Sequence, residues 1–567
     1  MKTVDLKPFI FFSMYAILLV LPSIGFFNLF DWDEINFAES SREMLVSNNF
    51  FQVMINFEPF HEKPPLFFWL QVLSMKVFGI GSFAARFPNA ILTIISPIIL
   101  FNIGSTIKNK TFGWIWSLIY ISGLLPNLYF RTGIIDPYFN LFIFLSIYFF
   151  FQSIYSSTTK NIFLSGLFSG LAILAKGPVG LLLVLLPCGI YSILIRKFNG
   201  LKPIFIFFLT AVIVSSPWYL IELINKGPWF LLEFIQYQLE LFSHPVAGHK
   251  QPMYYHFVVV LFGCLPFSFF ALKNIFIDSK FDLKFEKMMR ICFWTVLVLF
   301  TIVTTKIIHY SSMAYMPLSF LGSLEIYKII RGKSFSKVIK LSLFFFSSFL
   351  AILLSIFIYL LIYRKESLIS FTNDSNINTL LNLSLTWEGW EYIIPMLIVL
   401  ASFIWFVKIK LHFLKYLAVY SVLIGLTFSL ISYFIVPNVE FAIQGTVISF
   451  YKDISKEKKY LTTVGFKSYA HYFYSKVDQL NKEDKLSQKK LNILKEHFSA
   501  NSLNDLNRSQ KNKFNGYVLR WLIKGDVDRT VYFVAKKSKP NLVLRNAKNL
   551  ELIKEYAGYQ YYKRILK

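Results

Sequence analysis

The sequence predicts a mainly α fold: a polytopic membrane helix bundle of about thirteen spans, followed by a small soluble α/β domain at the C-terminus. Three observations predict it. Apolar runs of roughly 18 or more residues recur along the chain, the length at which a helix crosses a bilayer core. The Lys and Arg residues of the short connecting loops collect on one side of those runs. From about residue 438 the composition turns polar and charged. The 567-residue chain therefore divides into a membrane domain at 1–437, with a long outer loop at 28–87, and a second domain at 438–567.

Composition bounds the class. Hydrophobic residues make up 55% of the chain and the mean hydropathy is +0.53, more apolar surface than a soluble protein needs. The formal net charge of +26 would suggest nucleic acid in a soluble protein. Here the excess lies in short loops between apolar runs and in a Lys-rich tail, where it suits anionic lipid headgroups and glycolipid phosphates. No nucleic-acid partner is expected. Cys188, Cys264 and Cys292 all sit in apolar runs and read as small buried hydrophobes. Lys2 and Lys7 precede an apolar run from Phe9 to Phe27 with no small-x-small cleavage site after it, which predicts a retained first span.

The thirteen spans fall near 8–27, 88–107, 112–128, 138–156, 161–175, 178–195, 202–222, 256–275, 290–305, 310–328, 341–363, 391–408 and 415–436. Basic residues mark one side as cytoplasmic: Lys108 and Lys110, Lys160, Arg196 and Lys197, Lys273 to Arg290, Lys328 to Lys340, and Lys408 to Lys415. The outer side then receives 28–87, 129–137, a turn at 176–177, 223–255, 306–309, 364–390 and everything after Pro437. The expected location is a bacterial inner membrane, crossed many times, with the chemistry facing the periplasm. Strand-like runs at Tyr460–Phe466, Thr530–Ala535 and Tyr559–Ile565 make the last segment a small α/β unit able to fold separately.

The outer loops hold the chemistry. Asp31-Trp32-Asp33-Glu34 opens the first, and carboxylates at the mouth of an apolar span are costly unless solvated, paired or functional. The bland alternative for Asp33 and Glu34 is an acidic helix N-terminus, since a helix is expected at 34–47. Next comes His61-Glu62-Lys63-Pro64-Pro65. The prolines fix extended geometry, and Lys63 can meet a lipid phosphate at headgroup depth, or simply snorkel. His61 and Glu62 are candidate ligands for a divalent metal, on the weak signal of two adjacent donors. Arg131 and Asp136 lie in one short loop, where Asp136 before Pro137 could equally be a helix cap. Lys176 sits in Ala-Lys-Gly-Pro as a phosphate ligand or interfacial anchor. His249 and Lys250 occupy a loop able to cover a cavity, and Lys306, His309 and Tyr310 form a last polar cluster. A site for a phospholipid-linked substrate needs these parts. Cations neutralise the phosphate, a carboxylate accepts a proton, and apolar surface holds the lipid chain.

The ordered set of these motifs resembles a known family. Asp-Trp-Asp-Glu-Ile-Asn-Phe-Ala-Glu-Ser-Ser-Arg-Glu-Met-Leu (31–45), Glu-Lys-Pro-Pro-Leu (62–66), Phe-Gly (78–79) and Ala-Ala-Arg-Phe-Pro (84–88) are similar to the first outer loop of the bacterial aminoarabinose transferase and protein-mannosyltransferase-like group, glycosyltransferases of the GT-C type. Leu-Ala-Lys-Gly-Pro (174–178), Ala-Gly-His (247–249) and Thr-Lys-Ile-Ile-His-Tyr (305–310) are similar in kind and order. The resemblance implies interfacial helices in the first loop and an outer C-terminal domain. It implies Asp33 as general base or acceptor-orienting carboxylate and Asp136 as the second outer-loop acid. It implies Lys63 at the donor phosphate, Glu62 as a metal ligand, and Lys306 and Tyr310 near the phosphate. Lys176 and Arg131 supply further cations, and Glu34, Arg86, His249 and Lys250 support the loops around the substrate. One departure stands out. Lipid A-modifying members carry an Arg where this chain reads Leu-Glu-Leu-Phe-Ser-His (239–244).

The reading is an inverting transfer of a sugar from a polyprenyl-phosphate donor to lipid A, a cell-envelope glycan or a protein. A glycan polymerase or ligase would share donor and topology. A transporter or flippase of the lipid-linked sugar would want ionisable residues at mid-membrane and inverted halves, neither of which the sequence displays.

Overall fold

The computed structural model describes residues 5–567 apart from 61, 157, 198–199, 229–231, 233, 237–250, 280, 282, 333, 365–386, 407–411, 538–543, 545–546, 565 and 567. Each of the thirteen apolar runs falls on helix. Among the described residues, six helices are long and apolar enough to cross a membrane by themselves: Leu6–Ser23, Ser82–Ile107, Asp136–Ser156, Leu201–Asn225, Lys337–Tyr363 and Phe413–Lys456. The chain is a multi-pass membrane protein built as a helix bundle.

Local chemistry explains where the helices break. Helix Thr159–Lys176 stops because Gly177 turns to φ +95°, a conformation that glycine adopts at little cost. The same helix lies tight against Leu201–Lys226: a Cβ at Gly166 would meet the Phe207 carbonyl oxygen at 2.5 Å, and one at Gly170 the Ala211 carbonyl oxygen at 2.8 Å. Small residues let two membrane helices approach this closely, and that contact fixes where Lys176 emerges. The run expected as one span at 256–275 is instead two short helices, Tyr255–Gly263 and Phe267–Ala271, interrupted at Pro266.

The last long apolar helix runs past the expected domain boundary. It does not end at Pro437 but continues to Lys456, 44 residues in all. Proline removes one backbone donor, and π turns at Ile431–Ile435 and Phe441–Gly445 flank it and re-pair the backbone around it. At 1.5 Å per residue the helix is about 66 Å long, roughly twice the hydrocarbon thickness. The helix is therefore longer than one crossing needs, and its C-terminal part is a stalk.

That stalk carries a four-stranded sheet. Its strands are β3 (Lys459–Val464), β4 (Thr530–Lys536), β5 (Leu550–Tyr556) and β6 (Tyr559–Arg564), ordered β3-β4-β6-β5, with β3 and β4 parallel and the rest antiparallel. The small hairpin β1 (Met54–Ile55) and β2 (Glu58–Pro59) lies in the first loop. Side chains alternate across the larger sheet. Val531, Phe533, Ala535 and Tyr562 face Leu486, Leu522 and Ile523 of the domain's own helices. Val534, Tyr559 and Tyr561 pack in one apolar cluster with Leu29, Ile35, Ala38 and Ala85 of the first loop and its flanking helix. The domain expected to fold separately thus shares a core with the outer loop.

Candidate active site

The loop helix Asp33–Ser47 is buried along most of its length, between the bundle below and the C-terminal domain above. Its acidic entrance is sorted by hydrogen bonding. The Asp31 carboxylate accepts from the backbone N–H of Trp32 at 2.9 Å and of Tyr469 at 3.0 Å, which ties the loop to the C-terminal domain. Glu34 accepts from Arg86 Nε at 2.9 Å and Nη2 at 2.8 Å, from Phe30 N at 3.0 Å and from Gly133 N at 2.7 Å. Burial opposes ionisation of Glu34, yet Arg86 and these amides hold its carboxyl below the usual value. Arg86 is itself fully buried and donates to the carbonyls of Ile24, Phe27 and Asn28. Glu34 and Arg86 therefore brace the site from within the fold. Asp33 is different, with its side chain 51% exposed.

Gly133 carries the bracing across to the second loop. Asn89 Nδ2 pins that loop through the carbonyls of Thr132 at 2.6 Å and Ile134 at 2.7 Å. Asp136 then opens the helix Asp136–Ser156, buried, with Lys176 Nζ donating to its Oδ1 at 2.5 Å. His309 stands between the acids: its Nε2 is 3.9 Å from Asp33 Oδ2 and 4.0 Å from Asp136 Oδ2. Those distances exceed a hydrogen bond and become ion pairs only if the ring is protonated. Burial pushes the imidazole below the ordinary histidine range; Asp136 and Asp33 pull it back in part. Burial therefore favours the neutral ring.

Lys63, half-buried, lies close enough to feel the same charges. Burial is the main cause of its lowered pKa; Glu62 resists the shift, Lys176 adds to it, and Asp33 and Asp136 resist it. Lys176 Nζ also sits 5.5 Å from the ring centres of Phe139 and Tyr310. One pocket of charge thus joins Asp33, Lys63, Asp136, Lys176, His309 and Tyr310, drawn from five separated segments of chain.

Other expected members are placed elsewhere. Arg131 is buried and donates to the carbonyls of Asn127, Leu19 and Gly425, so it staples helices together. Lys306 Nζ donates to the carbonyls of Thr301 at 3.1 Å and Val303 at 2.7 Å, at the C-terminal end of helix Lys284–Ile302, where a cation suits the dipole. His61, His249 and Lys250 lie outside the described residues. Among the described residues no group of three His, Cys, Asp or Glu side chains is arranged to hold a metal ion, which leaves Glu62 as a metal ligand an expectation of the sequence alone. The role of His309 was not assigned from sequence; its place in Lys-Ile-Ile-His-Tyr was the available signal.

Comparison with known proteins follows the same outline. Residues 62–221 match the family described as dolichyl-phosphate-mannose-protein mannosyltransferase. An undecaprenyl phosphate-alpha-4-amino-4-deoxy-L-arabinose arabinosyl transferase of Proteus mirabilis is 26% identical over 266 residues, 45% of this chain and 48% of that one. The enzyme of the same description from Shewanella sediminis is 27% identical over 263 residues, 46% and 48%. The chain spans about half the length of the curated relatives it matches. The crystal structure of ArnT from Cupriavidus metallidurans bound to undecaprenyl phosphate superposes with a TM-score of 0.76 over 99% of both chains, at 15% identity. The chain is thus similar to ArnT in fold over its whole length, and in sequence it is similar to these transferases over part of its length.

Proposed function

We propose that the chain is an inverting membrane glycosyltransferase that takes a sugar from undecaprenyl phosphate, or a related polyprenyl phosphate, and transfers it on the outer face of the inner membrane. The observation that carries this reading is the contrast within the acidic run: Asp31 and Glu34 are consumed by the fold, while Asp33 stays half exposed beside His309 and the Lys176–Asp136 pair. The acceptor is lipid A, a cell-envelope glycan or a protein.

The acceptor oxygen attacks the anomeric carbon opposite the donor phosphate. A new glycosidic bond forms, the bond from carbon to phosphate oxygen breaks, and polyprenyl phosphate leaves with the electron pair. Lys63 and Lys176 stabilise the charge that grows on the phosphate. Asp33 takes the proton of a hydroxyl acceptor, or orients an acceptor that is already ionised. Asp136 holds Lys176 in place. The neutral His309 spaces the two acids and supplies a polar ring between them.

The function is tested by reconstituting the purified protein with radiolabelled undecaprenyl-phosphate sugar and membrane extract. Label passing into a new lipid, glycan or protein bond is expected. Label that only changes leaflet identifies a transporter instead.

A further inference from the structure

A cavity with a basic rim lies at the other end of the bundle from the candidate active site. It has a volume of about 530 Å³ and is lined by Lys197, Lys284, Lys287, Tyr155 and Tyr191, with Ile195 and Leu283 as apolar wall. Helix geometry places it relative to the membrane. Asp136 begins the helix that carries Tyr155, and nineteen residues at 1.5 Å each separate them by about 29 Å, close to the hydrocarbon thickness. The cavity is therefore on the membrane face opposite the candidate active site, where the basic short loops gather.

Its charge is one-sided. Asp278 and Glu286 also line it, but Arg290 Nη1 pairs with Asp278 Oδ1 at 2.5 Å and Arg290 Nη2 with Glu286 Oε1 at 2.8 Å. Ser279 N donates to Glu286 as well, at 2.7 Å. The acids are occupied by their own neighbours. Lys197 and Lys284 converge on the Tyr155 ring, at 5.2 and 4.7 Å from its centre. The Tyr155 and Tyr191 hydroxyls meet at 2.8 Å. Lys284 and Lys287 also stand in the first turn of helix Lys284–Ile302, whose N-cap, Leu283, makes no side-chain hydrogen bond. Cations at the positive end of a helix dipole are disfavoured. Glu286 in the same turn is held by Arg290 and Ser279, so an anion between the lysines is what offsets their mutual repulsion.

We infer that this cavity binds a phosphate group, delivered by the headgroup of an anionic phospholipid from the leaflet opposite the active site. Three lysines supply the donors for phosphate oxygens, and Ile195 and Leu283 sit where acyl chains leave the headgroup. Basic pockets between membrane helices take such headgroups.

The test is native mass spectrometry and thermal melting of the full chain in detergent. Phosphatidylglycerol, phosphatidylcholine and inorganic phosphate serve as probes. Wild type is expected to retain phosphatidylglycerol and to melt higher with it than with phosphatidylcholine. A Lys284→Ala/Lys287→Ala pair binds it about 30-fold more weakly. Lys284→Arg/Lys287→Arg keeps the binding, which separates charge from folding. So does Lys337→Ala/Lys340→Ala, a basic pair on the same face outside the cavity. A shift by inorganic phosphate as large as that by lipid assigns the same site to soluble phosphate. Wild-type affinity in the Lys284→Ala/Lys287→Ala pair, or an equal loss in the Lys337→Ala/Lys340→Ala pair, overturns the inference.

Discussion

Within the loop helix, neighbouring carboxylates do different work because their surroundings differ. Glu34 is held ionised by Arg86. Nine residues along, Glu43 accepts from the backbone N–H of Asn56 at 2.6 Å and of Phe57 at 2.8 Å, yet burial and the neighbouring Glu39 raise its pKa well above the usual 4.5; Phe57 and Arg42 oppose the rise in part. A carboxyl with a raised folded pKa binds its proton more tightly in the folded state, so its contribution falls as pH rises above 4.5 through the raised value. Melting curves should therefore show wild type losing stability relative to Glu43→Gln across that interval, with a constant offset below it. A constant offset at every pH would contradict the assignment. At this scale the sequence was partly legible. Asp33, Lys63, Asp136 and Lys176 could be picked out because charged residues beside apolar spans are expensive. That Asp31 and Glu34 are consumed by Tyr469, Arg86 and Gly133 could not, since those partners are distant in sequence. Nor does any spacing rule reveal that Arg131 donates to the carbonyls of Leu19 and Gly425, or that Lys306 turns back to the carbonyls of Thr301 and Val303.

At the scale of elements, the Glu34–Arg86 pair joins the loop helix to helix Ser82–Ile107, and Gly133 N extends the joint to the loop that holds Asp136. Both side chains are buried, so removing one strands the charge of the other. Arg86→Ala should cost roughly 3–5 kcal/mol of stability. It should also lower transfer by misplacing Asp33 against Asp136, measured as a lower melting point and a lower turnover per folded molecule. Helix positions were readable from apolar runs, and the break at Lys176-Gly177 from its glycine. The continuation past Pro437 was not, because proline ordinarily argues for a stop and only the flanking π turns carry the helix onward. Strand β5 was missed as well: its side chains are largely exposed, so it lacks the alternation that betrays a half-buried strand.

At the scale of the whole molecule, the 44-residue helix and the apolar cluster shared by sheet and first loop make one body of membrane and outer parts. Ending the chain after Lys456 should expose Leu29, Ile35 and Ala38 to water and remove the Tyr469 amide that holds Asp31. Such a truncation should melt lower and aggregate in detergent, where an independent domain could be cut away without effect. Polarity alone had suggested independence; the apolar residues that bind the two parts are spread thinly among polar ones and lie hundreds of positions apart. The central claim concerns Asp33, and the most direct measurement is the rate of sugar transfer from labelled undecaprenyl-phosphate sugar by Asp33→Asn beside Asp31→Asn. Asp33→Asn should keep the wild-type melting point and lose about 100-fold or more in rate, while Asp31→Asn should melt lower and keep most of its turnover per folded molecule. An Asp33→Asn protein that transfers as fast as wild type would contradict the account.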